Sequence, residues 1–131
     1  MRPDWTVIGA LWGALGVGLA AWGAHGMEDV ITEAKAQEWW HDGVRLQMWH
    51  APVIALAGWI GRSTGRQGSR ARLAGLLLGV GSLVFSGTLY AMALGGSRGL
   101  GAVTPIGGLA LILGWLALAW AATSTQDPAA T

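Results

Sequence analysis

LAGLLLGVGSLVFSGTLYAMAL, residues 73–94, is the stretch that decides the fold. It carries no charge, and at 1.5 Å of helical rise per residue it reaches about 33 Å, enough to cross the hydrocarbon core of a bilayer. A chain of 131 residues has no large interior in which to hide such a run. Composition agrees, because 53% hydrophobic and only 11% charged residues are too oily a mixture for an ordinary soluble domain. The charges are also unevenly spread. Residues 73–97 and 99–126 contain none, whereas Arg62, Arg66, Arg70 and Arg72 crowd together just ahead of the quoted stretch.

Three further spans follow by the same reasoning. Residues 5–24 and 104–122 are apolar and of membrane-crossing length. Arg2 ahead of the first run also suits a secretory signal, but a cleavable signal has a shorter apolar core, so a span is expected. The fourth span, residues 42–61, carries Arg45, Gln47 and His50 in its first half and Pro52 near its middle. Basic loops stay on the cytoplasmic side, so the Arg62, Arg66, Arg70 and Arg72 segment is expected inside. An even number of spans then puts both termini inside. Tryptophan gives an independent check, since its amphipathic ring favours the interfaces. Six of the nine obey this topology: Trp5, Trp59 and Trp120 at the inner level, Trp22, Trp39 and Trp40 at the outer.

Between the first two spans, Met27, Val30, Ile31 and Ala34 recur at helical spacing among charged residues, which predicts a short helix lying on the outer surface. Residues 123–131 are expected to be a flexible tail. The fold class is therefore all-α: a four-transmembrane-helix bundle with a short outer interfacial helix. Within lipid, small residues let helices approach closely. Gly9, Gly13, Gly16, Ala20 and Gly23 lay one such stripe on the first span, and Gly75, Gly79, Ser82, Ser86 and Tyr90 lay another on the third. No strand precedes the glycines of the first span, so they are a packing seam and not a dinucleotide loop.

Unpaired polar groups are costly in hydrocarbon, so the Gln47 and His50 face of the second helix should point inward. Pro52 has no amide hydrogen and should kink that helix, freeing the Met48 carbonyl. Helical rise brings His50 and Ser86 to similar depth, with Tyr90 one turn further out and His25 above them. The expectation is a polar cluster of His25, Gln47, His50, Ser86 and Tyr90. As a ligand site it has two histidines that suit haem iron, or His50 and Tyr90 that suit a quinone carbonyl. As a structural device its members satisfy one another, and this is the leading reading, with no cofactor and no metal. Asp42 lies one turn before Arg45 and should pair with it at the interface. No nucleophile elbow surrounds Ser86, and the chain has no cysteine, which excludes thiol catalysis and disulfides. Eight basic against seven acidic residues leave no basic face for nucleic acid.

The chain resembles the small four-helix membrane proteins known as domain of unknown function 423, to which transmembrane protein 256 of animal mitochondria belongs. The matching blocks are GAHG at 23–26, QMWHA at 47–51, FSGTLY at 85–90, TPIGG at 104–108 and GW at 114–115. Leu46 and Pro52 stand where the family pattern has tyrosine and leucine. The resemblance implies a four-span protein of the bacterial inner membrane and implies no activity. It adds weight to the five cluster residues and to Thr104 and Pro105, a pair suited to cap and open the fourth helix. The function expected is a non-enzymatic accessory or scaffolding module, partnered by the bilayer and by other membrane proteins or copies of itself. The alternative is a small-ligand or ion-handling protein that uses the polar cluster.

Overall fold

The computed structural model describes residues 3–124, so Arg2 and the tail from residue 125 onward lie outside the described residues. Four α-helices account for most of the chain: α1 Trp5–His25, α2 Ala34–Ile60, α3 Gly65–Ala93 and α4 Thr104–Ala122. Single 3-10 turns at Met27–Asp29 and Arg98–Ala102 join α1 to α2 and α3 to α4. Among the described residues, three segments are long and apolar enough to cross a membrane: Trp5–His25, Gly65–Ala93 and Arg98–Ala122, the last joining the second 3-10 turn to α4.

The helix ends follow from local chemistry. Asp4 takes an extended conformation and accepts hydrogen bonds from the Thr6 and Val7 amides at 3.0 and 3.4 Å, capping α1. Desolvation raises the Asp4 carboxyl, but those amides together with Arg62 more than offset it and hold it below the ordinary carboxylate value. At the far end of α3 the chain turns through Gly95 at φ +91°, a conformation that glycine adopts without steric cost, and the Gly96 amide returns to the Ala91 carbonyl at 2.8 Å.

The antiparallel pair α2 and α3 forms the centre. α1 lies along α2, and α4 lies along α3. At the first seam the backbones nearly touch: a methyl group on Gly9 would stand 2.4 Å from the Ala55 amide nitrogen, and one on Gly58 would stand 2.2 Å from that of Thr6. Gly9, Gly16 and Gly23 are the buried members of the α1 stripe, and Ala20 is exposed. A seven-residue repeat thus follows the seam better than the alternating spacing expected. The α3 stripe is used differently. Gly75 and Gly79 form a recess for the Trp5 ring, so α1 reaches α3 through an aromatic side chain. Gly81, Gly107 and Gly114 bring α3 and α4 together.

Several expectations need correction. The segment after α1 is not a surface helix. One 3-10 turn ends at Asp29, the chain extends through residues 32–33, and α2 already starts at Ala34. Met27 and Ile31, 2% and 4% exposed, are drawn down onto Ala36, Trp40 and Ala93. Burying two large apolar side chains is worth more than laying them on a surface. The second helix is eight residues longer at its start than the span of residues 42–61, because its exposed first turns are built from helix-forming Lys, Gln and Glu. The arginine segment is not a loop: Arg66, Arg70 and Arg72 lie in the first turns of α3, and only Arg62 sits in the connection. The described part of the predicted tail, residues 123–124, continues directly from α4, with the Thr123 amide bonded to the Ala119 carbonyl.

The two kinds of glycine on α1 give a direct test. Gly9→Ala should cost about 1–3 kcal/mol, because backbone cannot move aside for the methyl group. Gly18, with nothing within 4 Å of its methyl position, should accept alanine without loss. Unfolding of the two variants in denaturing detergent compares them, and equal stability would refute this account of the seam.

Candidate functional site: a polar junction between the helices

Among the described residues, the buried polar side chains are Gln47, His50, Ser82 and Ser86, on α2 and α3. Gln47 stands at the meeting point of three helices. Its Nε2 donates to the Trp12 carbonyl on α1 at 2.8 Å, and its Oε1 accepts from the Tyr90 hydroxyl on α3 at 2.7 Å. One turn away, Ser86 Oγ donates to the Gly43 carbonyl at 2.8 Å. That contact is open because residue 43 has no side chain; a methyl group there would fall 2.7 Å from Tyr90 Cε1. Trp12 completes the junction by donating its indole N–H to Ser82 Oγ at 2.8 Å. Above it Trp22 meets Trp40 edge-on and Trp40 meets Tyr90 at a tilt, with ring centroids 4.7 and 4.8 Å apart. The Trp40 indole N–H reaches the Leu19 carbonyl at 3.2 Å.

His50 belongs to a different contact. Its Nδ1 lies 2.7 Å from the Leu46 carbonyl, and the indole N–H of Trp115 on α4 points at its Nε2 from 3.2 Å. A carbonyl only accepts and an indole only donates, so Nδ1 carries the hydrogen and Nε2 offers the lone pair. Both nitrogens are engaged, and α4 is thereby tied to α2.

Of the five residues expected to cluster, Gln47, Ser86 and Tyr90 come together. His50 is adjacent on α2 but faces α4. His25, the last residue of α1, is exposed and separate. α1 ends at His25, and the buried cluster at that end of the bundle is built instead from Met27, Ile31, Ala36, Trp40 and Ala93. A bis-histidine haem site therefore has neither its pair of rings nor a free Nε2 on His50, and the Tyr90 hydroxyl that would serve a quinone is held by Gln47. Thr104 does not cap α4. Its hydroxyl pairs with that of Thr88 on α3 at 2.7 Å, while Pro105 occupies the first turn as expected. Asp42 and Arg45 form an ion pair on the exposed side of α2.

Trp12, Ser82, Gly43, Trp115 and Thr88 are the members that sequence reasoning missed. The signal lay in the tryptophans. Three of the nine sit mid-span, where the interface rule does not explain them: Trp12, Trp49 and Trp115. A buried indole N–H needs an acceptor, so a mid-span tryptophan points to a buried oxygen or ring nitrogen. Trp12 and Trp115 each find such an acceptor, Ser82 Oγ and His50 Nε2, although the Trp115 ring is itself 47% exposed; Trp49 is more exposed still, at 69%.

Removing Gln47 should loosen three helices at once. Gln47→Leu strips the Tyr90 hydroxyl of its acceptor and should destabilise by about 1–3 kcal/mol, and Tyr90→Phe by about 0.5–1.5 kcal/mol. The double variant should lose less than the sum of the two. Additive losses would show that the hydrogen bond contributes nothing.

The family model described as protein of unknown function (DUF423) matches residues 19–108, a range that contains Gln47, His50, Ser86, Tyr90 and Thr104. A UPF0382 membrane protein of Staphylococcus haemolyticus is 42% identical over 112 residues, covering 86% of this chain and 88% of the relative. The UPF0382 membrane protein YwdK of Bacillus subtilis is 38% identical over 116 residues, covering 88% and 93%. One from Haemophilus influenzae is 37% identical over 128 residues, covering 97% and 99%. No solved structure matches the chain. The match over most of the polar junction, and relatives named as membrane proteins along nearly their whole length, show that this chain belongs to the DUF423 family of membrane proteins.

Proposed function

We propose that this protein is a non-enzymatic accessory or scaffolding module of a membrane complex. In this reading it crosses the bacterial inner membrane four times, with both termini cytoplasmic. The observation that carries the role is the polar junction. Its hydrogen-bonding groups join helix to helix: Gln47 to Trp12 and Tyr90, Ser86 to Gly43, Trp115 to His50. Groups used in this way make a rigid bundle and leave its outer faces for contact with lipid and protein.

Support for a fourth crossing comes from the company α2 keeps. Its polar first turns and buried Gln47 and His50 lower its mean hydropathy, yet it runs beside α1 along the whole apolar length of that helix. Contacts run from Trp40 against Gly23 to Gly58 against Thr6. A helix packed this way shares the depth of its neighbour. Orientation follows from Arg62, Arg66, Arg70 and Arg72 at one end, against Glu28, Asp29, Glu33 and Glu38 at the other.

Because the chain has no cysteine, single cysteines report topology cleanly. In intact cells Thr32→Cys should react with an impermeant maleimide, and Ser63→Cys should react only after lysis; the reverse pattern would overturn the orientation. The accessory role predicts that the protein, extracted in mild detergent, co-purifies with other membrane proteins. Recovery with itself alone, under conditions that preserve known membrane complexes, would sink it.

A further inference from the structure

Four arginines meet where α2 passes into α3. With Ser69 and Trp120, Arg62, Arg66, Arg70 and Arg72 line an open depression of about 740 Å³. Only Arg62 has a carboxylate within reach among the described residues, Asp4 at 3.0 Å. Arg72 donates to the Gly61 carbonyl at 2.6 Å and to Ser69 Oγ at 3.0 Å. Arg70 donates to the Trp120 carbonyl at 3.2 Å and to Ser124 Oγ at 2.7 Å. These acceptors are neutral, so they fix the two guanidinium groups in place without cancelling their charge. Arg66 is exposed, with no ion-pair or hydrogen-bond partner among the described residues. Among the described residues, four arginines set against Asp4 leave a surplus of three positive charges around one depression.

The second observation concerns what adjoins that charge. The Arg70 guanidinium lies 3.9 Å from the centroid of the Trp120 ring. Trp120 ends a stripe of exposed apolar side chains, Leu109, Leu113, Leu116 and Trp120, whose four-three-four spacing keeps them on one side of α4. A cationic depression thus sits at the head of an apolar track, separated from it by an interfacial tryptophan.

We propose that this depression binds the phosphate of an anionic phospholipid, whose acyl chains lie along Leu116, Leu113 and Leu109. Guanidinium groups suit phosphate because their forked donors match its oxygens, and arginines at the cytoplasmic face of a membrane protein meet the anionic leaflet. A soluble phosphate compound offers the same head chemistry, but it has no use for the track. The inference rests on the membrane-spanning reading of α3 and α4, and it adds to that reading a specific lipid class.

The test uses the full chain purified in neutral detergent and native mass spectrometry with three probes: phosphatidylglycerol, phosphatidylcholine and inorganic phosphate. Phosphatidylglycerol should bind at least about tenfold more tightly than phosphatidylcholine, and the variant carrying Arg66→Gln and Arg70→Gln should lose that preference. Millimolar inorganic phosphate should leave the lipid bound. Equal binding of the two lipids by the unaltered protein would overturn the proposal, as would an undiminished preference in the variant. Full displacement by inorganic phosphate would also overturn it and assign the arginines to a soluble anion. Should the double variant fail to fold, Arg66→Gln alone alters an exposed side chain and should still weaken phosphatidylglycerol binding severalfold; no change would overturn the proposal. Cysteine labelling at positions 32 and 63 reads topology separately, so failure of the four-span reading and failure of lipid binding are distinguishable.

Discussion

Water satisfies stray polar groups at a protein surface, whereas hydrocarbon satisfies none, and the arrangement of this chain turns on that difference. Gln47 is wholly enclosed, yet both ends of its amide are engaged, one by the Trp12 carbonyl and one by the Tyr90 hydroxyl. Those two bonds require α1 and α3 to stand on set sides of α2 at a set height. Ser86 can reach the Gly43 carbonyl only in that register, and Trp12 then meets Ser82. The glycine contacts serve the same end, since hydrogen bonds of 2.8 Å between helices need backbones that approach closely.

The fourth helix obeys the constraint by another route. It packs on α3 through Gly81, Gly107 and Gly114, and its polar ties include the Trp115–His50 and Thr104–Thr88 hydrogen bonds and the one from Arg70 to the Trp120 carbonyl. α1 and α4 flank the central pair, each presenting a broad apolar face: Leu11, Leu15 and Val17 on one, Leu109, Ile112 and Leu116 on the other. These faces are what a bilayer solvates well. Polar ties inside and apolar surface outside are two sides of one partition.

What was legible in the sequence follows from the same physics. Long apolar runs announce α1, α3 and α4, because length and oiliness are properties of a segment by itself. Gln47, Ser86 and Tyr90 were found because depth along a helix is simple arithmetic. His25 was misjudged because depth does not say which residues pack between helices; at that end Met27, Ile31 and Trp40 form the buried cluster and His25 stays exposed. Thr104 was misjudged for a related reason. A threonine before a proline has a local use as a cap, and nothing in the segment reveals that Thr88 waits on the neighbouring helix. Trp12 and Trp115 were readable in principle, since a mid-span indole needs an acceptor. The identity of that acceptor depends on the packing.

The Gln47–Tyr90 and Gly43–Ser86 bonds each join residues 43 positions apart. A ribosome makes the chain from its amino end, so α2 emerges complete while its partners on α3 are still held back inside the ribosome. Through that interval the helix carries an amide with only one end satisfied, the end bonded to α1. The hairpin of α1 and α2 is then a provisional structure, held at the membrane by its glycine seam and completed only when the third helix arrives. A chain interrupted before Tyr90 would be left with that unfinished helix, a distinguishing mark by which quality control could separate truncated products from finished ones.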